Sequence, residues 1–224
     1  MEYDIIKLPD LAAAQVTAFR SGLDFIVYLN GTGERIIVTE QFNQNYYRIE
    51  EVAFADHTVW DRSAINATAG IGGTDGNDFL SGDFFNDVLG GFGGNDTISG
   101  GGGNDLLIGG IGKDTLTGGL GEDTFVFQNL ADSGKSASTR DLIIDFVVGE
   151  DSIDLSAIDA IMGGADDAFA FAGVSAFTGA AGQLAVSYAS GQTIVSGDIN
   201  GDRVADFQIA LTGTHFLTAD DFIL

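Results

Sequence analysis

The sequence predicts an all-β chain built around a parallel β-roll, flanked by an N-terminal β cap and a C-terminal antiparallel, sandwich-like β extension. Three observations carry that prediction. Asp78, Asp87, Asp96, Asp105, Asp114 and Asp123 stand nine residues apart without a break. Two positions after each comes an apolar residue: Leu80, Leu89, Ile98, Leu107, Leu116 or Phe125. A glycine-rich run precedes most of these aspartates. A fixed short period of this kind marks a solenoid. Outside residues 67–126 the period fades and alternating apolar segments take over, so the chain divides into 1–66, 67–126 and 127–224.

Each repeat reads as a loop followed by a three-residue strand. The loop needs backbone with positive φ, which glycine adopts without steric penalty. In the strand, alternation turns the central apolar side chain inward and its neighbours outward. Leu80, Ile98 and Leu116 then stack on one wall, and Leu89, Leu107 and Phe125 on the other. Two repeats make one coil of eighteen residues, and successive coils lie about 4.8 Å apart, the spacing of neighbouring strands. A flexible Gly/Asp-rich linker has similar composition, but a linker has no reason to place Leu, Ile or Phe at every ninth residue.

Stacking the coils stacks the carboxylates. Asp78, Asp96 and Asp114 form a ladder on one edge; Asp87, Asp105 and Asp123 form the other. Carboxylates about 5 Å apart repel, and a hard cation with six to eight oxygen ligands removes the repulsion. Calcium fits best. The chain has no Cys, and neither His57 nor His215 is near the ladders in sequence, which argues against zinc. Magnesium resists dehydration and demands octahedral geometry.

The clearest repeat, Gly109-Gly110-Ile111-Gly112-Lys113-Asp114-Thr115-Leu116-Thr117, resembles the RTX, or haemolysin-type calcium-binding, family of secreted bacterial proteins. The resemblance implies several calcium ions, each held between loops one coil apart. The lower loop gives its second, fourth and sixth positions and the upper loop its first, third and sixth. Carried onto this chain, one site takes Thr74, Gly76 and Asp78 with Gly91, Gly93 and Asp96. The next takes Phe92, Gly94 and Asp96 with Gly109, Ile111 and Asp114. On the opposite edge Gly101, Gly103 and Asp105 meet Gly118, Leu120 and Asp123. All but the aspartates act through main-chain oxygen. Gly100, Gly102, Gly110, Gly112, Gly119 and Gly121 complete the candidate loops. The second unit, Gly82-Asp83-Phe84-Phe85-Asn86-Asp87, departs from the pattern, with phenylalanine where a positive-φ glycine is expected, so the Asp87–Asp105 site is expected to be the weakest. Asp132 and Asp141 continue the nine-residue spacing; they are expected to cap the ladders, Asp132 with Asp114 and Asp141 with Asp123, or else to be ordinary surface aspartates.

In the first segment, Phe25–Leu29 and Arg35–Thr39 are strand-like and joined by the turn Asn30-Gly31-Thr32-Gly33. With Ile49, Val52 and the run Phe54 to Trp60, it resembles the haemolysin-type calcium-binding-related domain, in which glycine is usual where this chain has His57. Its expected role is a β cap shielding the first coil. Residues 127–224 resemble the C-terminal domain of serralysin-type metalloproteases. The resemblance rests on Asp141–Phe146 and Gly149–Ser156, on Phe177-Thr178-Gly179 and Gly182-Gln183-Leu184, and on Gly197–Asp202. Segments such as Thr193–Val195 and Asp206–Leu211 read as antiparallel strands. Asp198-Ile199-Asn200-Gly201-Asp202 mimics an EF-hand opening, but Arg203 and Ile209 stand where that loop needs glycine and glutamate. A hairpin turn is the simpler reading.

Charge and motifs bound the function. Nine Lys plus Arg against thirty-three Asp plus Glu give a formal charge of −24, which excludes electrostatic binding to nucleic acid or anionic lipid. No segment has the apolar length of a membrane span. Met1-Glu2-Tyr3-Asp4-Ile5-Ile6 lacks the basic and apolar regions of a Sec signal peptide. The ending Asp220-Asp221-Phe222-Ile223-Leu224 resembles the uncleaved type I secretion signal of the same proteases, or is simply a final strand. No His-Glu-x-x-His helix, Gly-x-Ser-x-Gly elbow or phosphate loop is present, so catalysis by this chain is not expected. The expected function is a calcium-binding module of a secreted, extracellular protein, the C-terminal part of a larger exoprotein, exported by a type I secretion apparatus and folding on calcium. The alternative is a free-standing extracellular protein that binds polysaccharide, with Thr97, Ser99, Thr115 and Thr117 as a polar strip.

Overall fold

Alternation within the repeats decides the architecture of the computed structural model, which describes residues 5–21, 24–30, 35–38, 51–61, 70–161 and 167–224. They belong to two units, Met1–Gly72 and Gly73–Leu224.

In the second unit, strands Phe79–Ser81, Thr97–Gly102, Thr115–Leu120 and Leu142–Ile143 pair in parallel to make one wall. Their register puts Leu80, Ile98, Leu116 and Ile143 in one column. Val88–Gly90, Leu106–Ile108, Thr124–Val126 and Ser152–Asp154 make the opposite wall, with Leu89, Leu107, Phe125 and Ile153 in column. From Ile98 and Leu89 upward every one of these side chains is fully buried, and each contributes about 1.5–3 kcal/mol. This is the parallel β-roll that the nine-residue period predicts.

The coil length changes at the top. Asp132 ends one loop, and residues 133–140 intervene before the ladder strand resumes at Leu142. Ser133 Oγ donates to Gln208 O and accepts from Asp141 N–H, tying this insertion to the C-terminal strands. Those strands, Gln183–Ala189, Gln192–Asp198 and Phe207–Thr212, form an antiparallel meander. Its last strand runs parallel to Leu142–Ile143, so the meander extends the first wall.

Phe222–Ile223 extends the second wall, pairing in parallel with Ile153–Asp154. Phe222 is buried and packs on Phe171, ring centroids 5.2 Å apart. The C-terminal end is therefore a structural strand, whatever else it does, and not a detachable apolar patch.

The first unit contains two small sheets. Ile5–Leu8 runs parallel to Glu51–Phe54, which forms a hairpin with Val59–Asp61. Val16–Ser21, Asp24–Leu29 and Arg35–Val38 make an antiparallel meander, with Gly70–Gly72 added in parallel. The strands read from Phe25–Leu29 and Arg35–Thr39 are present as Asp24–Leu29 and Arg35–Val38; the turn 31–33 and Ile49 lie outside the described residues. Leu8, Val16, Ala18, Val27, Val52 and Phe54 form its core, with Trp60 against Phe54. His57 holds φ +67° in the hairpin turn, so the left-handed conformation persists without glycine. Asp56 supports that turn by accepting Thr58 N–H. Among the described residues no helix is long and apolar enough to cross a membrane.

Candidate metal centre

Each strand ends in a glycine loop that turns the chain at one of two edges. Loops 73–78, 91–96 and 109–114 stack on edge A, and loops 82–87, 100–105 and 118–123 on edge B. The stacking is held by the aspartates themselves. Asp78 N–H donates to Asp96 Oδ1 and Asp96 N–H to Asp114 Oδ1, both at 2.8 Å. On edge B, Asp87 N–H donates to Asp105 Oδ1 at 2.8 Å and Asp105 N–H to Asp123 Oδ1 at 2.9 Å. One oxygen of each upper carboxylate thus clamps the coil below.

The other oxygen has nothing to accept from. Asp96, Asp105, Asp114, Asp123 and Asp141 are buried, and in each Oδ2 lacks any hydrogen-bond partner. Its surroundings are main-chain acceptors. A β-carbon built on Gly91 would collide with Asp96 Oδ2 and lie 2.5 Å from Gly109 O. One on Gly100 would collide with Asp105 Oδ2 and lie 2.6 Å from Gly118 O. Glycine at the first loop position is therefore needed for close approach as well as for the turn. It leaves a cradle in which a bare carboxylate oxygen faces a carbonyl oxygen one coil away. Two acceptors facing each other without a donor, buried, need a cation or a proton between them. Oxygen donors alone suit calcium.

Electrostatics agrees. Burial, before any other cause, pushes Asp96 and Asp123 up to about 6, Asp114 to about 7 and Asp141 to about 9. Neighbouring ladder carboxylates add to each shift. Asp105, Asp132 and Asp151 are raised in the same way. Without a cation, Asp141 would hold a proton at neutrality and Asp114 would hold one part of the time. Among the described residues no three His, Cys, Asp or Glu side chains converge on one point. Any cation held here would rely on two carboxylates together with main-chain oxygen, as the stacked loops offer.

The expected backbone ligands occupy the facing loops. Gly93 and Gly94 pair in parallel with Ile111 and Gly112. The carbonyls of Thr74, Phe92 and Leu120 accept hydrogen bonds from Gly93, Ile111 and Gly103 N–H, and those of Thr74 and Leu120 have a second lone pair for an ion. Gly94, Gly101, Gly103, Gly110, Gly112, Gly119 and Gly121 all have positive φ.

Three expectations change. Asp141 does not meet Asp123: it receives Asp114 N–H at 2.8 Å and tops edge A, because the insertion 133–140 shifts the ladder position from Asp132. Asp132 lies close enough to raise Asp114 and Asp141, with Oδ1 buried and unpartnered. Second, edge B is topped by residues that the period did not single out. Asp151 receives Asp123 N–H at 3.0 Å, and Asp145 receives Gly118 and Gly119 N–H. Third, Phe85 does not take positive φ. Asp83 Oδ1 accepts Phe85 N–H at 2.8 Å and makes the turn a different way, as Thr74 Oγ1 does for Gly76. In the six ladder loops the non-glycine that does is Phe92, at φ +71°.

A second ladder went unread in the sequence. Asn77 Oδ1 accepts Asn95 N–H, and Asn95 Oδ1 accepts Lys113 N–H; Asn86 and Asn104 do the same on edge B toward Asn104 and Glu122. The recurring Asn-Asp pairs were its signal. Elsewhere, Asp198 is buried with both oxygens taken by Gly201 and Arg203 N–H. It organises the loop 199–206 between two antiparallel strands, longer than a two-residue hairpin turn. His215 sits against Thr212 O and Phe146, away from any carboxylate cluster.

Fold and edges together define a parallel β-roll of nonapeptide repeats, closed by an antiparallel extension and lined with carboxylates. The chain belongs to the peptidase M10 serralysin C-terminal family, whose model matches residues 45–224. Residues 24–64 match the haemolysin-type calcium-binding-protein-related domain, so calcium is the ion that the family points to. The chain is 41% identical over 96 residues to metalloprotease AprA of Pseudomonas entomophila and 41% identical over 91 residues to metallopeptidase AprA of Pseudomonas marginalis. Those alignments cover 42% and 40% of this chain but 19% and 17% of the relatives, so the chain spans about a fifth of the curated relatives it matches. Among solved structures it resembles the AlgE6R2 subunit of the Azotobacter vinelandii mannuronan C5-epimerase, at 35% identity and TM-score 0.52, covering 69% of this chain and 92% of that one.

Proposed function

We propose that this chain is a calcium-responsive folding module of an exported bacterial protein. It passes through a type I secretion apparatus unfolded and closes its roll on calcium outside the cell. One observation carries the reading: five buried aspartates, Asp96, Asp105, Asp114, Asp123 and Asp141, each keep one oxygen on the coil below and leave the other bare, the first four of them beside a glycine cradle. On edge A, calcium would be held by Asp78 with Asp96, Asp96 with Asp114, and Asp114 with Asp141. On edge B it would be held by Asp87 with Asp105, Asp105 with Asp123, and Asp123 with Asp151. Main-chain oxygens of the intervening loops complete each site. The ion's contribution is charge: it removes the repulsion that otherwise protonates or opens the ladders, and its binding energy appears as folding energy. Catalysis in such a protein would lie in another domain.

A second reading has one observation behind it. The AlgE6R2 subunit belongs to an enzyme named for mannuronan, and Thr97, Ser99, Thr115 and Thr117 line the outer face of the first wall in paired register. A polysaccharide could lie along that face. Glycan binding that persists in the wild type and disappears in a T97A/T115A variant, with calcium-driven folding unchanged, would support it. The folding reading is tested by mass spectrometry under native conditions: several calcium ions per folded chain are expected, and a folded chain with none would overturn it.

A further inference from the structure

Edge B carries apolar side chains for which neither reading has a use. Phe84 and Phe85 stand at the third and fourth positions of loop 82–87, and Leu120 at the third position of loop 118–123. They are 88%, 74% and 76% exposed. Between Phe84 and Leu120, in the same column, lies Gly102. A β-carbon there would be 3.8 Å from Phe84 Cδ1 and 3.9 Å from Leu120 Cβ. The absent side chain leaves a notch with two apolar walls and a floor of bare main chain. Those walls are two coils apart, about 9–10 Å between backbones, which leaves room for one side chain between them.

Beside the notch is an open cleft of about 350 Å³, lined by Asn104, Leu106, Glu122, Glu150 and the ladder residues Asp105 and Asp123. The three loops of this edge contain no Lys or Arg. Calcium on the ladder would neutralise Asp105 and Asp123, but Glu122 and Glu150 would remain. Glu122 lies two residues beyond Leu120, across the turn at Gly121 (φ +123°), so an apolar feature and an acidic one are neighbours along the loop.

We propose that edge B docks an extended polypeptide segment with an apolar side chain at one position and Lys or Arg two residues along. The apolar group enters the notch over Gly102, and the cation reaches the cleft at Glu122 and Glu150. Side chains two apart on an extended chain point the same way, about 6.6–6.8 Å apart, so one short segment can present both groups to this edge. Charge complementarity selects this occupant. A second copy would bring the same acidic edge, and an anionic lipid surface would be repelled.

The test uses the full chain in saturating calcium, with folding verified by circular dichroism, so that a failure of calcium-driven folding is seen separately. The probe is a blocked pentapeptide Thr-Leu-Thr-Lys-Thr, titrated calorimetrically at two salt concentrations. Saturable binding that weakens with salt is expected. It should fall at least about tenfold in F84S/L120S, whose replaced side chains are exposed. In E122Q/E150Q it should lose its salt dependence. Absence of saturable binding, or unchanged binding in both variants, would overturn the proposal. So would self-association of the wild type that F84S/L120S abolishes, since the notch would then be filled by a second copy.

Discussion

Replacing Asp114 by Asn separates the two jobs of a ladder carboxylate. Asn keeps Oδ1 where Asp96 N–H donates to it at 2.8 Å, and its volume is unchanged, but the bare charged oxygen is lost. Asp114 is shared by the Asp96 site below and the Asp141 site above, so two ions are affected. At about 10 mM calcium and a dissociation constant of 10⁻⁴–10⁻³ M, one ion stabilises the fold by about 1.4–2.7 kcal/mol. Losing two costs about 3–5 kcal/mol. In chelator the sign changes. Burial raises Asp114 to about 7, so its ionisation opposes the metal-free fold at neutral pH, and Asn removes that penalty. Urea denaturation of wild type and D114N, with calcium at neutral pH and with EGTA at about pH 4 to 5, where the raised carboxylates hold protons and the metal-free fold is retained, checks both halves. The variant should be much weaker in calcium and no weaker in EGTA. Equal losses in both conditions would refute the reasoning, because Asp114 would then act only through packing.

Asp105→Ala should abolish two sites and Asp78→Ala one, because Asp78 lies at the bottom of its ladder and already accepts from Thr74 N–H and Oγ1; equilibrium dialysis against radioactive calcium counts the difference. Gly100→Ala should block the Asp105 cradle and destabilise the calcium form by about 1–3 kcal/mol through overpacking, read as a shift in denaturation midpoint. The pH dependence in EGTA follows from carboxylates raised in the fold: stability is greatest below about pH 4, declines above it as the unfolded chain gives up protons the fold retains, and levels off only past about 6 to 9, where Asp96, Asp123, Asp114 and Asp141 ionise in the fold. Thermal melts from pH 4 to 9 should show that decline in EGTA and little of it in calcium. Phe222→Ala should cost about 3–5 kcal/mol, whereas Ile223→Ser, at an exposed position, should leave folding almost unchanged; a drop in export for I223S alone would mark the ending as an address.

The roll was legible because its period is set by backbone geometry that repeats. An inward side chain on every ninth residue fixes which wall each strand joins, and register follows. The same regularity hid what breaks it. The segment 133–140 inserts between Asp132 and Asp141, so counting in nines sent Asp141 to the wrong edge. Asp145 and Asp151 cap edge B at spacings that no repeat announces. Phe85 looked costly because glycine was taken as the only route round the turn; Asp83, two residues earlier, supplies another through its side chain. The final strand could not be told from a loose tail, since its partner, Ile153, is distant in sequence. Asn-Asp pairs were in plain view, but only stacking shows that each Asn serves the coil above.

The central claim is that ladder carboxylates couple calcium to folding. Far-ultraviolet circular dichroism during a calcium titration from excess EGTA, with bound calcium counted in the same samples, tests it most directly. The expected result is little β signal in EGTA and a cooperative gain, half complete at roughly 10⁻⁴–10⁻³ M free calcium, that rises together with the bound ions. A full native spectrum in EGTA, with no calcium on the protein, would contradict it.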